Sequence, residues 1–326
     1  MLEVVEPGAL ATIQDDGRPG LGHLGVPPSG AADPWGLAEA NVLAGAPAGA
    51  PAIELTLGGA ELHALATCVV GLGGADLGAE RDDGVRLAAG AAHRLPAGSR
   101  IRFAGGTRGL RAYLGLAGGV AARAVLGSAS TYGPGRLGRN HGRPLHAGDR
   151  LAPVRRGDLS AAGNAWPELL APHPLGDAGP LGLVSGPDLA ALPRGTVDAF
   201  LGTAWRADAA SDRMGIRLVG PPVAAGDEIL SHPLVPGAVQ VPPGGLPIVA
   251  LVDGPTLGGY PVLGVVPCAD IPRLGQARPG DVLRFASESA AAARARAAGQ
   301  RARLARAGAA IALDVVWLSL ADDARG

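Results

Sequence analysis

The sequence predicts a mainly β protein, a barrel or sandwich in two related halves, followed by a helical tail. Three observations carry this. First, 53 Gly and 29 Pro punctuate short apolar runs, and strict helical periodicity is rare. Second, Ala52–Leu57, Arg100–Phe103 and Val282–Phe285 alternate in polarity as half-buried strands do, while Leu246–Val252 is a continuous apolar run of a fully buried strand. Third, a pattern recurs. Gly109-Leu-Arg-Ala-Tyr113-Leu leads to Gly148-Asp149-Arg-Leu151, and Gly245-Leu-Pro-Ile248-Val leads to Gly280-Asp281-Val-Leu283. In each half a buried strand precedes a Gly-Asp turn that launches another strand.

The elements follow in order. Residues 1–155 form the first β domain. Its clearest helix is Asp33–Leu43, with Asp33 as N-cap and Pro34 in the first turn. Residues 156–179 form a linker, because Pro167, Pro172 and Pro174 break any pattern there. Residues 180–286 form the second β domain. Residues 287–326 form an Ala/Arg-rich helical tail begun by Ser287 or Ser289, whose apolar run Ala309–Leu320, with Trp317, must find a surface to bury.

Composition narrows the function. At 326 residues the chain suits two domains, and 47 % hydrophobic with 17 % charged residues suits a globular core. A formal net charge of −1 provides no field for nucleic acid. No apolar run reaches the ~18 uncharged residues of a membrane span, and the acidic N-terminus does not resemble a secretory signal. Two isolated cysteines, Cys68 and Cys268, suit a reducing cytoplasm. All 28 cationic Lys/Arg residues are arginine. This excludes a Schiff-base lysine, a Walker A lysine and a lysine that carries biotin. The seven His are scattered, without HExxH, and no cysteine has a second at metal-ligand spacing, so no metal site is expected.

Chemistry-bearing residues concentrate in Gln14-Asp15-Asp16-Gly17-Arg18-Pro19-Gly20 and His23-Leu24-Gly25-Val26-Pro27-Pro28-Ser29-Gly30-Ala31-Ala32-Asp33. An amide, carboxylates, a guanidinium and a hydroxyl lie there among glycines that let backbone approach a ligand. Structural roles stand beside these: Asp15 and Asp33 can cap turns, and Arg18 can pair with a carboxylate.

These motifs, with Asn41, Glu54, Arg111-Ala-Tyr113-Leu, Leu126-Gly127-Ser128-Ala129-Ser130-Thr131 and Gly142-Arg143-Pro144-Leu145-His146-Ala147-Gly148-Asp149, resemble the 5-oxoprolinase C-subunit family. That family is also described as biotin-dependent carboxyltransferase or allophanate hydrolase subunit two, and as KipA-like. The likeness continues through Ser211-Asp212-Arg213-Met214-Gly215-Ile216-Arg217-Leu218, Gln240-Val241-Pro242-Pro243-Gly244-Gly245-Leu246-Pro247-Ile248, Gly258-Gly259-Tyr260-Pro261, Asp270, Gln276 and Pro279-Gly280-Asp281. It departs at Asp253-Gly254-Pro255-Thr256, where the family commonly reads D-x-Q-T, and at His232-Pro233, where an acidic residue often follows the serine.

The resemblance implies two cyclophilin-like β-barrel domains and a cytoplasmic subunit that works with a B-like (KipI-type) subunit and an A-type subunit. It implies ATP-dependent opening of the 5-oxoproline lactam to L-glutamate, with ATP bound by the complex and the chain inactive alone. The alternatives are a regulatory protein that antagonises a B-like kinase inhibitor, and a carboxyltransferase component acting on urea-like substrates with a separate biotin carrier. By residue type and motif position, Arg213 holds the substrate carboxylate, and Gln14 and Ser29 meet the amide edge. Asp15 or Asp33 handles protons, Asp253 and Tyr260 line the cleft, and Arg18 assists binding. A structural role for Arg213, pairing with Asp212 or a strand carboxylate, remains open beside this one.

Overall fold

A computed structural model describes residues 1–155, 157–167, 173–174 and 179–323, with side chains described as far as residue 312. The chain divides into two compact units. The first comprises Met1–Gly17, Asp33–Gly176 and Arg301–Gly326. Its elements are β1 (Leu2–Pro7), β2 (Leu10–Gln14), α1 (Pro34–Leu43), β3 (Ala52–Thr56), β4 (Ala60–Ala64), β5 (Cys68–Gly74), β6 (Ala79–Arg81), β7 (Ala91–Leu95), β8 (Arg100–Phe103), β9 (Arg111–Leu116) and β10 (Arg150–Leu151). They make two antiparallel five-stranded sheets, ordered β10-β1-β4-β8-β6 and β2-β3-β9-β5-β7. Val4, Leu62, Ile101 and Phe103 of one sheet share a buried cluster with Ile13, Leu55, Val70 and Leu114 of the other.

Helix α1 begins where the sequence predicts it, with the Asp33 carboxylate accepting from the Gly36 amide 3.0 Å away. It packs on the opposite face of the second sheet, where period-two alternation divides β5. Val70 and Leu72 join the inter-sheet core, while Val69 joins Trp35 and Leu43 against the helix. A Cβ on Gly71 would lie 2.1 Å from the Ala40 carbonyl oxygen, and one on Gly73 would lie 2.4 Å from that of Gly36. These glycines bring helix backbone directly against strand backbone. Strand β3 differs from the alternating strand expected: Ala52, Ile53, Glu54 and Leu55 are all buried. The helix covers one face and the core the other, so Glu54 is enclosed.

The second unit comprises Arg18–Ala32 and Asp177–Gln300. It holds β11 (Leu181–Ser185), α2 (Thr196–Gly202), β12 (Trp205–Ala207), β13 (Gly215–Val219), β14 (His232–Pro233), β15 (Ala238–Gln240), β16 (Ile248–Ala250), β17 (Leu257–Gly258), β18 (Val262–Val265), α3 (Ile271–Gly275), β19 (Val282–Leu283) and β20 (Phe285–Ser287). Eight strands, ordered β19-β12-β13-β16-β15-β18-β11-β20, form a near-closed sheet around Phe200, Trp205, Val239, Val249, Leu263 and Phe285. Strands β14 and β17 pair separately. The repeated Gly-Asp turns are real: Gly148 and Gly280 have φ of 86° and 89°. Each turn leads into a short strand at a sheet edge, β10 or β19.

Two boundaries differ from the predicted ones. Residues 18–32 belong with the second unit, not the first, because the Ser29 amide donates to the Val252 carbonyl and Arg213 donates to the Gly30 carbonyl. The tail is one continuous helix, α4 (Ala290–Asp323), whose start belongs to the second unit and whose remainder belongs to the first. Ser289 begins it, its hydroxyl accepting from the Ala292 amide. Ala307 and Ile311 bury beside Trp35 and Trp166. The Trp317 side chain lies outside the described residues.

Arg296 anchors the first turns of α4 by donating to both oxygens of Asp270 and both of Glu288. Burial pushes the Asp270 carboxyl up, but hydrogen bonds from Arg296 and the Gly182 amide, with the Arg296 and Arg273 charges, hold it below the usual range. A depressed folded-state pKa stabilises the fold above the ordinary value of ~3.9 and loses that contribution as pH falls through the folded value. Amide exchange at residues 290–300 should therefore accelerate as pH falls below about 4. The extra acid sensitivity should disappear in Asp270→Asn, after correction for intrinsic exchange; an identical pH response in that variant would contradict the anchor.

Candidate functional site

The candidate residues form separate clusters within each unit. In the first unit, Gln14 ends β2, its side chain wholly buried. Its Nε2 donates to Thr12 Oγ1 at 3.0 Å and to the Thr131 carbonyl at 3.2 Å. The second partner can only accept, which fixes the amide orientation. Gln14 Oε1 is then a buried acceptor with no donor among the described residues. Asp15 is occupied differently: its carboxylate accepts from the Gly17 and Ala129 amides and from the Ser128 and Ser130 hydroxyls. These four donors make it the organiser of this loop. Burial, then the Asp15 charge, raises the pKa of neighbouring Asp16.

Asp33 lies at the centre of a second cluster. Its carboxylate caps α1, and its backbone amide donates to the Tyr113 hydroxyl at 2.8 Å. Tyr113 in turn donates to Glu54 Oε2 at 2.8 Å, and Arg111 Nε lies 3.5 Å from Glu54 Oε1. Burial, then the Glu54 and Asp33 charges, raises the Tyr113 pKa far above its ordinary value, so the phenol keeps its proton as a donor. His173 Nε2 stands 3.1 Å from Asp33 Oδ2. The imidazole also meets the Trp35 ring edge-on, with centroids 6.4 Å apart.

In the second unit Ser29, Asp253 and Arg213 come together. Ser29 donates to Asp253 Oδ1 at 2.5 Å, and Arg213 Nε donates to Asp253 Oδ2 at 2.7 Å. Arg213 Nη2 donates to the Gly30 carbonyl at 2.6 Å. Ser29 has a φ of 51°, a left-handed conformation that bonds at both its amide and hydroxyl hold in place. The guanidinium predicted to hold substrate thus organises the loop that carries Ser29, and its partner is Asp253 rather than Asp212. Arg18 is buried, its amide closing the same loop on the Pro28 carbonyl.

Tyr260 is not in that cluster. It lines a groove of about 520 Å3 with Asp208, Arg217 and Leu246. The departure at His232 has its own partner, Asp188, 2.9 Å away, which also accepts from the Val262 amide. Among the described residues, no group of three His, Cys, Asp or Glu could hold a metal ion.

Sequence reasoning missed His173, which lies in the Pro-rich linker where no motif marks it. Glu54 and Tyr113 were visible as motif residues without a role. A carboxylate inside an apolar strand was the signal available for Glu54.

Residues 24–287 match the description "Carboxyltransferase domain, subdomain A and B". The chain belongs to this carboxyltransferase-domain family. It is similar to the C subunit of 5-oxoprolinase from Escherichia coli K12, 36 % identical over 295 residues that cover 87 % of this chain and 90 % of that protein. The crystal structure of TTHA0988 superposes with a TM-score of 0.80 at 38 % identity, covering 88 % of this chain and 56 % of that one. The Kluyveromyces lactis urea amidolyase structure gives a TM-score of 0.85 at 28 % identity, over 93 % of this chain and 20 % of that one. The chain therefore corresponds to one part of those two larger proteins. Among the described residues, no helix is long and apolar enough to cross a membrane.

Proposed function

We propose that this chain is the C subunit of a cytoplasmic, ATP-dependent 5-oxoprolinase complex that opens 5-oxoproline to L-glutamate. The observation that carries the reading is the extent of likeness: the match spans 90 % of the E. coli 5-oxoprolinase C subunit, whereas it spans 17 % of the Lachancea kluyveri urea amidolyase. The absence of lysine also leaves no attachment point for biotin on this chain.

The chemistry is consistent with the buried polar groups. A lactam carbonyl is a poor electrophile, so ATP would activate it by phosphorylation before water adds. The N–H edge of a lactam is a donor, and Gln14 Oε1 is a desolvated acceptor lacking one among the described residues. Ser29, set by Asp253 and Arg213, would hold the other edge of the substrate. Tyr260 and Arg217 would offer a hydroxyl and a cation along their groove. The chain has no GxxxxGK[ST] loop, so ATP would bind through the complex, with B-like (KipI-type) and A-type subunits as partners.

Two results test the reading together. The chain should co-elute with its cognate B-like partner on size exclusion, and ATP hydrolysis by the complex with both partners should require 5-oxoproline. Failure to associate at micromolar concentration, or ATP hydrolysis indifferent to 5-oxoproline, would refute it.

A further inference from the structure

We propose that Arg217 selects for a substrate that carries a carboxylate, and that the groove it shares with Tyr260 receives that carboxylate and the apolar ring attached to it; this rests on the lactam-opening reading. The role predicted for Arg213 is closed to it, because its guanidinium is committed to Asp253 and the Gly30 carbonyl. Arg217 lies four residues on, in β13, and is exposed. No carboxylate among the described residues pairs with it.

Strand alternation puts this guanidinium outside the eight-stranded sheet. Ile216 and Leu218 turn inward to the core with Val239 and Val249, so Arg217 and Val219 face outward. Arg217 pairs with Ile248, and Ile248 pairs with Gln240, so the three stand in one row across β13, β16 and β15. With strands ~4.8 Å apart, Arg217 and Gln240 are separated by roughly 10 Å. Gln240 Nε2 donates to the Tyr260 carbonyl at 3.3 Å, which fixes Tyr260 at the far end of the row. The groove that Arg217 and Tyr260 line, about 520 Å3, lies within the ~300–1,000 Å3 of small-ligand sites.

The groove has an apolar floor and a single positive end. Ile248 stands in the middle of the row, and Leu246 and Val219 leave 42 % and 43 % of their surfaces exposed, area that the methylenes of a five-membered ring would cover. Among the described residues lining it, Arg217 is the one cation and Asp208 the one anion. Asp208 accepts from the Ala210 amide and makes no ion pair with Arg217. A planar guanidinium takes a carboxylate through two parallel N–H···O bonds, and apolar neighbours keep out the water that would weaken them. The class recognised is therefore a compact monocarboxylate with an apolar ring. A neutral lactam lacks the group that Arg217 grips.

The test uses the full-length chain and two ligands, 5-oxoproline and 2-pyrrolidinone, the same lactam without its carboxylate. Binding followed by NMR should favour 5-oxoproline in wild type. Arg217→Gln should weaken 5-oxoproline about tenfold and leave 2-pyrrolidinone unchanged. Because Arg217 is exposed, thermal unfolding of the variant should match wild type. Arg217→Lys, a point charge without the planar fork, should recover part of the affinity. In the assembled complex, Arg217→Gln should raise KM for 5-oxoproline with kcat retained, as loss of binding common to ground and transition states does. Equal affinity of the wild-type chain for the two lactams, or unchanged 5-oxoproline binding in Arg217→Gln, would overturn the proposal. A complex that binds 5-oxoproline through Arg217 yet never forms glutamate would instead overturn the functional reading and leave the carboxylate pocket standing.

Discussion

Replacing Arg213 with Met should destabilise the second unit by about 3–5 kcal/mol, the usual cost of leaving one member of a buried ion pair behind. Met keeps length and apolar bulk but removes the donors that satisfy Asp253 and the Gly30 carbonyl. The loop holding Ser29 in its left-handed conformation loses the same support. Urea denaturation should show a lower midpoint with an unchanged slope. Adding Asp253→Asn should recover part of the loss, since the neutral amide removes the stranded charge yet can still accept from Ser29. Were Arg213 only a substrate ligand, the single variant would unfold like wild type and lose turnover alone.

Gly71→Ala should be nearly as damaging although it adds one methyl group. The new Cβ would sit 2.1 Å from the Ala40 carbonyl oxygen and 2.8 Å from the Ala44 nitrogen. Both are backbone atoms, so no side-chain rotation relieves the clash and α1 must move off the sheet. Overpacking typically costs 1–3 kcal/mol, and a rigid contact belongs at about 3 kcal/mol or above. Gly84→Ala, whose Cβ meets nothing within 4 Å, is the control for added bulk, its φ of 83° carrying a backbone cost of its own. A Gly71→Ala variant no less stable than wild type would show that α1 does not lie on β5 as described.

Much of this architecture was legible in the sequence because its signals are local. Asp33 followed by Pro34 marks a helix start wherever it occurs, and the two Gly-Asp turns mark edge strands by the backbone conformation that glycine allows. The helical tail was legible from its Ala content, and its start from Ser289. What local patterns could not show is which segment a loop joins. Residues 18–32 precede α1 in sequence, yet their bonds run to Val252 and Arg213, more than 180 residues away. The site followed the same division. Motif positions identified Ser29, Asp253 and Arg213 as important residues, and the structure brings them together. Their chemistry was harder to read, because a carboxylate filled by four donors looks in sequence like an available one. Asp15 illustrates this. His173 was invisible because its partner lies 140 residues away and nothing around it has a pattern.

Lactam opening without a carboxyl carrier can be separated from carboxyl transfer by following glutamate. The chain, assembled with its A-type and B-like partners and ATP, is given 5-oxoproline while glutamate is quantified, with and without avidin and bicarbonate. Carboxyl transfer must pass through carboxybiotin, whereas hydrolysis of an activated lactam needs neither biotin nor bicarbonate. Glutamate should form at the same rate under all four conditions. Absence of glutamate, together with bicarbonate-dependent and avidin-sensitive ATP turnover on urea, would contradict the account.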